Sequence, residues 1–170
     1  MGEQLGRARA GDRVVLYFAG YGTATPEGRP ALLFRDASAS RDSGLATVAA
    51  LGRALAGGPG EKLFVVDAGF GGGSRSIGAA ALPRGDPGRL DVTTLLAAGP
   101  GEGALSPAHL GHGLLTYRLL EALRRARGGG PAIREMFPRI QASVEADAEL
   151  LGTRQAPRLV EAGAFHFLAH

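Results

Sequence analysis

Two short runs of consecutive apolar residues dominate the hydrophobic pattern of this chain. Val14 to Phe18 and Leu63 to Val66 are unbroken and rich in β-branched and aromatic residues. Such runs are typical of strands that are buried on both faces of a parallel sheet. Between them, Leu45 to Ala56 has the apolar spacing of a helix. The order strand, helix, strand predicts a βαβ crossover.

Weaker patterns predict the other elements. Short strands are expected at Ala31 to Phe34, Asp91 to Ala98 and Ala164 to Leu168, and the end of a helix at Gly2 to Ala10. One helix follows Ser106-Pro107, with an apolar face formed by Leu114, Leu115, Tyr117, Leu119, Leu120 and Leu123. A second covers Pro131 to Leu151 and is expected to be broken or bent at Pro138. Together these elements predict an α/β domain with at least four strands and helices on both faces of the sheet.

Composition indicates a single domain and argues against membranes and nucleic acids as binding partners. The chain has 170 residues, of which 45% are hydrophobic, so we expect residues 1–170 to form one domain. No apolar run is long enough for a membrane span, and the first residues lack a secretory signal, so we expect a cytoplasmic protein without a membrane partner. The net charge is +3, but the Arg residues are scattered among acidic ones, which argues against nucleic-acid binding.

Two strand-plus-loop segments carry the most informative motifs. Val14 to Phe18 continues as Ala-Gly-Tyr-Gly, and Leu63 to Val66 continues as Asp-Ala-Gly-Phe-Gly-Gly. These segments resemble the two catalytic segments of the caspase and metacaspase-like cysteine peptidases. In that family the first strand runs into Ser-Gly-His-Gly and the second into Asp-Ala-Cys-Phe-Ser-Gly. Tyr21 stands at the position of the His, and Gly69 at the position of the Cys.

Three further segments extend the resemblance over nearly the whole chain. Gly111 to Tyr117 is similar to the family's Gly-His-Gly-x-Phe-Thr-Tyr helix start, and Gln155-Ala156-Pro157 to the Gln-x-Pro before its last strand. Asp91 to Ala98 matches the strand that carries part of the substrate groove. The resemblance implies a caspase-like three-layer α/β/α sandwich with a mostly parallel sheet. It also implies that N-terminal strands of the family are missing, and that Val14 to Phe18 is then left as an exposed apolar edge.

The resemblance implies descent from an active peptidase, and the residues present imply that the catalytic activity has been lost. The family's Cys thiolate attacks the peptide carbonyl while the His transfers the proton. Gly69 has no side chain, the chain contains no Cys, and the phenol of Tyr21 is a poor general base at neutral pH. We therefore expect no catalytic residue and no cofactor. The predicted function is that of an inactive pseudopeptidase that binds a peptide or regulates a protein partner, such as an active homologue.

Asp67 is the candidate substrate-pocket residue. In the metacaspase-like branch, an Asp two residues before the nucleophile lines a pocket for Arg or Lys, so recognition of basic peptides could persist without cleavage. The alternative interpretation is that Asp67 caps the Gly-rich turn that follows it, through backbone N–H groups. The sequence alone favours this second role.

Other functions stay open as alternatives. The chain could be an active cysteine-type endopeptidase by family membership alone, a hydrolase with another nucleophile such as Ser74 or Ser76, or a decaying gene fragment. The loop Gly69 to Arg75 follows a strand, as the loop of a nucleotide-binding domain does, but its glycine spacing fits neither phosphate-binding template. His109 and His112 lie three residues apart without a matching carboxylate, so no metal site is expected.

Overall fold

A computed structural model describes residues 7–25, 27–34, 44–71, 90–99, 101–126 and 130–168. Within these ranges the strands are β1 (Arg13–Ala19), β2 (Gly22–Ala24), β3 (Pro30–Leu33), β4 (Leu45–Thr47), β5 (Glu61–Asp67), β6 (Thr93–Leu96) and β7 (Arg158–Val160). The α-helices are α1 (Val48–Ala56), α2 (Leu114–Arg125) and α3 (Ile133–Leu150), and a single 3-10 turn covers Ala108–Leu110.

The main sheet is mostly parallel. Its four strands lie in the order β1-β5-β6-β7, with β1 and β6 parallel to β5, and β7 antiparallel to β6. The connection from β1 to β5 passes through α1, so the predicted strand-helix-strand unit with parallel strands is confirmed. The chain is an α/β protein, as the sequence predicts.

A second, antiparallel sheet was not predicted from the sequence. Strands β2, β3 and β4 form it within the connection from β1 to β5. Only β3 corresponds to a predicted strand, Ala31 to Phe34, whereas β2 and β4 have three residues each, too few to show a period of two. The side chain of Thr47, the last residue of β4, caps α1 by accepting a hydrogen bond from the N–H of Ala50 at 3.1 Å.

Two hydrophobic clusters lie on opposite faces of the main sheet. Leu63 and Val65 of β5 face the cluster formed with α2 and α3, whereas Phe64 and Val66 face the cluster formed with α1 and β3. These four side chains are at most 1% exposed. The alternation follows from the strand period of two, and burial on both faces explains why β5 is a continuous apolar run.

Strand β1 differs from the predicted buried strand. Val14, Leu16 and Phe18 pack against the α1-side cluster, but Val15 and Tyr17 on the other face are 48% and 47% exposed. The physical reason is position: among the described residues β1 is an edge strand of the sheet, with β5 as its one neighbouring strand. The apolar sequence alone does not distinguish a central strand from this edge strand.

The helices that pack on the other face are joined by a partly buried charge pair. Arg118 of α2 donates from Nε and Nη2 to the two carboxylate oxygens of Asp147 in α3, at 2.6 and 2.7 Å, and from Nη1 to Glu121 at 2.6 Å. The hydrogen bonds to Asp147 raise the pKa of Arg118 above its usual value. Pro138 lies inside α3, which continues through it as one helix rather than as two.

The final strand lies earlier than predicted. β7 is Arg158–Val160, and within the predicted strand Ala164 to Leu168 only His166 forms an isolated bridge, with Ala132. This last segment is held by backbone hydrogen bonds to Pro131 and Ile133. It is also held by Glu61, whose carboxylate accepts from the backbone N–H of His166 at 2.7 Å and lies 3.1 Å from its Nδ1. The hydrogen bond from the His166 backbone lowers the pKa of Glu61. Of the predicted helix end at Gly2 to Ala10, residues 1–6 lie outside the described ranges, and residues 7–10 are not helical.

Gln155 gives a test of this packing. Its side chain is 1% exposed, accepts from the N–H of Leu105 at 2.7 Å and donates to the carbonyl of Ala97 at 2.9 Å. Gln155→Leu leaves both backbone groups without this partner, so we expect a loss of about 2–4 kcal/mol of unfolding free energy in urea titrations. The control Gln141→Ala removes only an exposed bond to Glu145 and should cost less than about 0.5 kcal/mol. Equal effects of the two substitutions would contradict this role of Gln155.

Candidate functional site

The register of β1 against β5 brings two strand-end loops together. The parallel pairs end with Ala19 opposite Asp67, and the N–H of Gly20 donates to the carbonyl of Asp67 at 3.3 Å. The chain then leaves both strands on the same edge of the sheet. Carboxyl ends of adjacent parallel strands are where ligands and catalytic groups gather in open α/β sheets.

The two loops touch through backbone at Gly22. A Cβ built on Gly22 would overlap the carbonyl oxygen of Gly69 and would lie 2.8 Å from the ring of Phe70. Only glycine fits at position 22 without a shift of the neighbouring loop. Residues 21 and 69, the positions singled out by sequence, therefore belong to loops that are in direct contact. Tyr21 is 54% exposed, whereas Gly69 is buried.

A third loop completes this edge of the sheet. The N–H of Phe70 donates to the carbonyl of Glu102, in the loop that follows β6. The carboxylate of Glu102 accepts from the N–H groups of Gly99 at 3.1 Å and Ala156 at 2.8 Å. Glu102 thus joins the segments that follow β5 and β6 to the segment before β7. Sequence analysis missed it, although it is the one acidic residue in the flexible-looking loop Gly99 to Gly103.

Asp67 lies beneath these loops rather than in an open pocket. Its side chain is 0% exposed, and the hydroxyl of Thr116 donates to its Oδ2. A Cβ on Gly113, the N-cap residue of α2, would overlap the carboxylate. The carboxylate therefore occupies the space at the first turn of α2, where the helix dipole favours a negative charge.

A chain of hydroxyl groups connects Asp67 to the exposed face of β1. The hydroxyl oxygens of Tyr17 and Thr116 are 2.9 Å apart. Because the single hydroxyl proton of Thr116 is donated to Asp67, Tyr17 must be the donor to Thr116. The chain runs from β1 through α2 to β5, so it ties three elements together at the carboxyl end of the sheet.

No model of a known protein family matches this chain, and a search of curated proteins finds no match either.

The other sequence candidates do not add a second site. His109 and His112 are exposed, and no group of three or more His, Asp or Glu within the described ranges could hold a metal ion. Ser74 and Ser76 lie outside the described residues, as do Gly72 and Gly73 of the proposed nucleotide loop. No helix in the described part of the chain is long and apolar enough to cross a membrane.

The link between Thr116 and Asp67 can be tested by removing one hydroxyl. Thr116→Val keeps the shape but takes away the donor to a buried carboxylate, so we expect a loss of about 1.5–3 kcal/mol of unfolding free energy. The matched control Tyr17→Phe removes only the outer, partly exposed donor of the same chain and should cost about 0.5–1.5 kcal/mol. Chemical denaturation followed by circular dichroism measures both. A smaller loss for Thr116→Val than for Tyr17→Phe would contradict the inferred order of donors.

Proposed function

We propose that this protein is a caspase-like pseudopeptidase, a domain that retains the frame of a peptidase site and acts by binding a peptide or protein partner. The observation that carries the proposal is the contact between the loops after β1 and β5. Gly22 packs against the carbonyl of Gly69, so positions 21 and 69 lie on touching loops at the carboxyl edge of a parallel sheet. This is where a family member would hold its His and Cys.

The side chains at these two positions support the loss of catalysis. Gly69 offers no nucleophile, and no Cys elsewhere in the sequence could replace it. Tyr21 extends into solvent and carries a phenol, which is a weak general base at neutral pH. The nucleophile and the base act as a unit. Without both of them, the other groups of the site support little peptide hydrolysis.

The surroundings of Asp67 favour a structural role over recognition of a basic side chain. A lysine or arginine would have to displace Thr116 and enter a space that Gly113 and α2 already fill. We therefore propose that Asp67 caps and anchors α2, and that partner binding uses other surfaces. Pairing with an active homologue through the last strand would use β7, which lies at the opposite edge of the sheet from β1.

A peptidase assay tests the proposal. Purified protein is incubated with fluorogenic peptides that end in Arg, Lys or Asp, with and without calcium, beside the variants Tyr21→His, Gly69→Cys and the double variant. We expect the natural chain and both single variants to match the no-enzyme blank. The double variant should give a rate that iodoacetamide abolishes, because it restores both members of the unit.

Two results would count against the proposal. Turnover by the natural chain, particularly if Ser74→Ala removes it, would show a hydrolase with another nucleophile. Silence of the double variant in a folded state, judged by an unchanged melting transition, would remove the support for a retained peptidase frame.

A further inference from the structure

The loop that follows β6 packs directly against the residues that follow position 69. Gly69, Phe70 and Gly71 are all buried, and a Cβ built on Gly71 would overlap the backbone of Gly101. The two loops therefore touch backbone to backbone, without room for a side chain or a bound peptide between them. On its other side, Gly69 is in contact with Gly22. Position 69 thus lies in a segment that other loops contact from two sides.

Glu102 holds the loop after β6 in two ways. Its carbonyl accepts from the N–H of Phe70 at 3.2 Å, which joins the loop to the segment after β5. One oxygen of its carboxylate, Oε2, accepts from the N–H of Gly99 at 3.1 Å and from the N–H of Ala156 at 2.8 Å. Hydrogen bonds to a charged acceptor are stronger than those between neutral groups. Because one residue makes all three contacts, loss of the carboxylate bonds should also loosen the contact with Phe70.

The composition of this loop makes its position depend on those contacts. Three of the five residues from 99 to 103 are glycine, which loses more conformational freedom than any other residue when it is ordered. Gly101 is exposed and has a φ of 76°, in the left-handed region. Segments with exposed backbone and few buried side chains are those that open at low cost in free energy.

We propose that the loop after β6 closes the candidate site, and that Glu102 is the positioning residue that holds it closed. A peptide then reaches position 69 only in molecules whose loop has moved away from Gly71. This inference concerns the regulation of the site and rests on the function proposed above, since closure matters where a peptide is to bind. In the natural chain the open form is a minor state, and substitutions that remove the Glu102 contacts raise its population.

The test measures how fast iodoacetamide alkylates a Cys at position 69, in the background Gly69→Cys. In a mostly closed site the rate is proportional to the fraction of open molecules. Glu102→Ala should raise the rate at least about tenfold, because two hydrogen bonds to a carboxylate are lost. Glu102→Gln keeps an oxygen that can accept both bonds and should stay within about threefold of the starting rate. The control Glu27→Ala removes a carboxylate that bonds Thr25 and Arg29 within one exposed turn, and should have no effect.

A second variant opens the loop without changing Glu102. Gly71→Ala places a methyl group where the backbone of Gly101 lies, so the loop must move away. We expect this variant to raise the alkylation rate as Glu102→Ala does. The control Gly57→Ala makes the same change at the C-cap of α1, where the Cβ would lie an ordinary 3.8 Å from the carbonyl oxygen of Ala54. It should leave the rate unchanged.

Several outcomes would overturn the proposal. One is a thiol at position 69 that already reacts as fast as a free cysteine in solution. Others are unchanged rates in both Glu102→Ala and Gly71→Ala, or an effect of Glu102→Gln as large as that of Glu102→Ala. Ile140→Ala separates local opening from global unfolding, because it leaves a cavity in the core at a residue that is 1% exposed. An equal rise in the alkylation rate with Ile140→Ala would assign the effect to global unfolding.

Alkylation requires no peptidase activity, so this test can fail or succeed independently of the proposed function. In the Tyr21→His, Gly69→Cys double variant, Glu102→Ala should raise peptide cleavage by a factor similar to that for alkylation. Faster alkylation without cleavage in any variant would support the closed loop and contradict the pseudopeptidase proposal. An active double variant whose alkylation does not respond to Glu102→Ala would do the reverse.

Discussion

The parallel register between β1 and β5 is the constraint on which the candidate site depends. Seven residue pairs, from Arg13 opposite Glu61 to Ala19 opposite Asp67, fix where both strands end. A shift of one residue would turn Val14, Leu16 and Phe18 away from the α1-side cluster and would move Gly22 from its contact with Gly69. The hydrophobic pattern of β1 thus determines which loops meet at the carboxyl edge of the sheet.

A buried carboxylate fixes the layer of helices to this edge. Asp67 is the last residue of β5, and its side chain fills the space that the missing Cβ of Gly113 leaves at the start of α2. Removal of such a group's partner is costly because a charge without hydrogen bonds is poorly tolerated inside a protein. The same contact that orients α2 encloses Asp67, which explains why a residue suggestive of substrate recognition is instead surrounded by protein.

The elements that could be predicted from the sequence are those with a strong hydrophobic pattern within the element itself. The apolar runs at Val14 to Phe18 and Leu63 to Val66 correspond to β1 and β5, and the Leu-rich face after Ser106 corresponds to α2. Short strands such as β2 and β4 carry too few residues to show a period. The position of β7 was misjudged because Ala164 to Leu168 is apolar for another reason: Phe165 and Phe167 pack against the α2 and α3 cluster without forming a strand.

The other features that the sequence did not predict depend on contacts between segments that are distant along the chain. Residues 67, 113 and 116 form one unit in space, yet no local pattern links an Asp at a strand end to a Gly and a Thr that begin a helix far along the chain. The same holds for Glu102 and Ala156, and for Arg13, whose place beside an apolar pocket depends on the path of the C-terminal segment. These residues are brought together by tertiary contacts, so no local sequence pattern identifies them.

The most direct measurement of the loop contact is the reactivity of a single introduced thiol. Gly69→Cys creates the only Cys in the chain, so its alkylation by iodoacetamide can be followed without background. If residues 21 and 69 adjoin, adding Tyr21→His should lower the thiol pKa and speed alkylation at pH 6.5 by about fivefold or more. A control with Leu168→His, beside Arg13 near the amino end of β1, should leave the rate unchanged. Equal alkylation rates with Tyr21 and with His at position 21 would contradict the inferred meeting of the two loops.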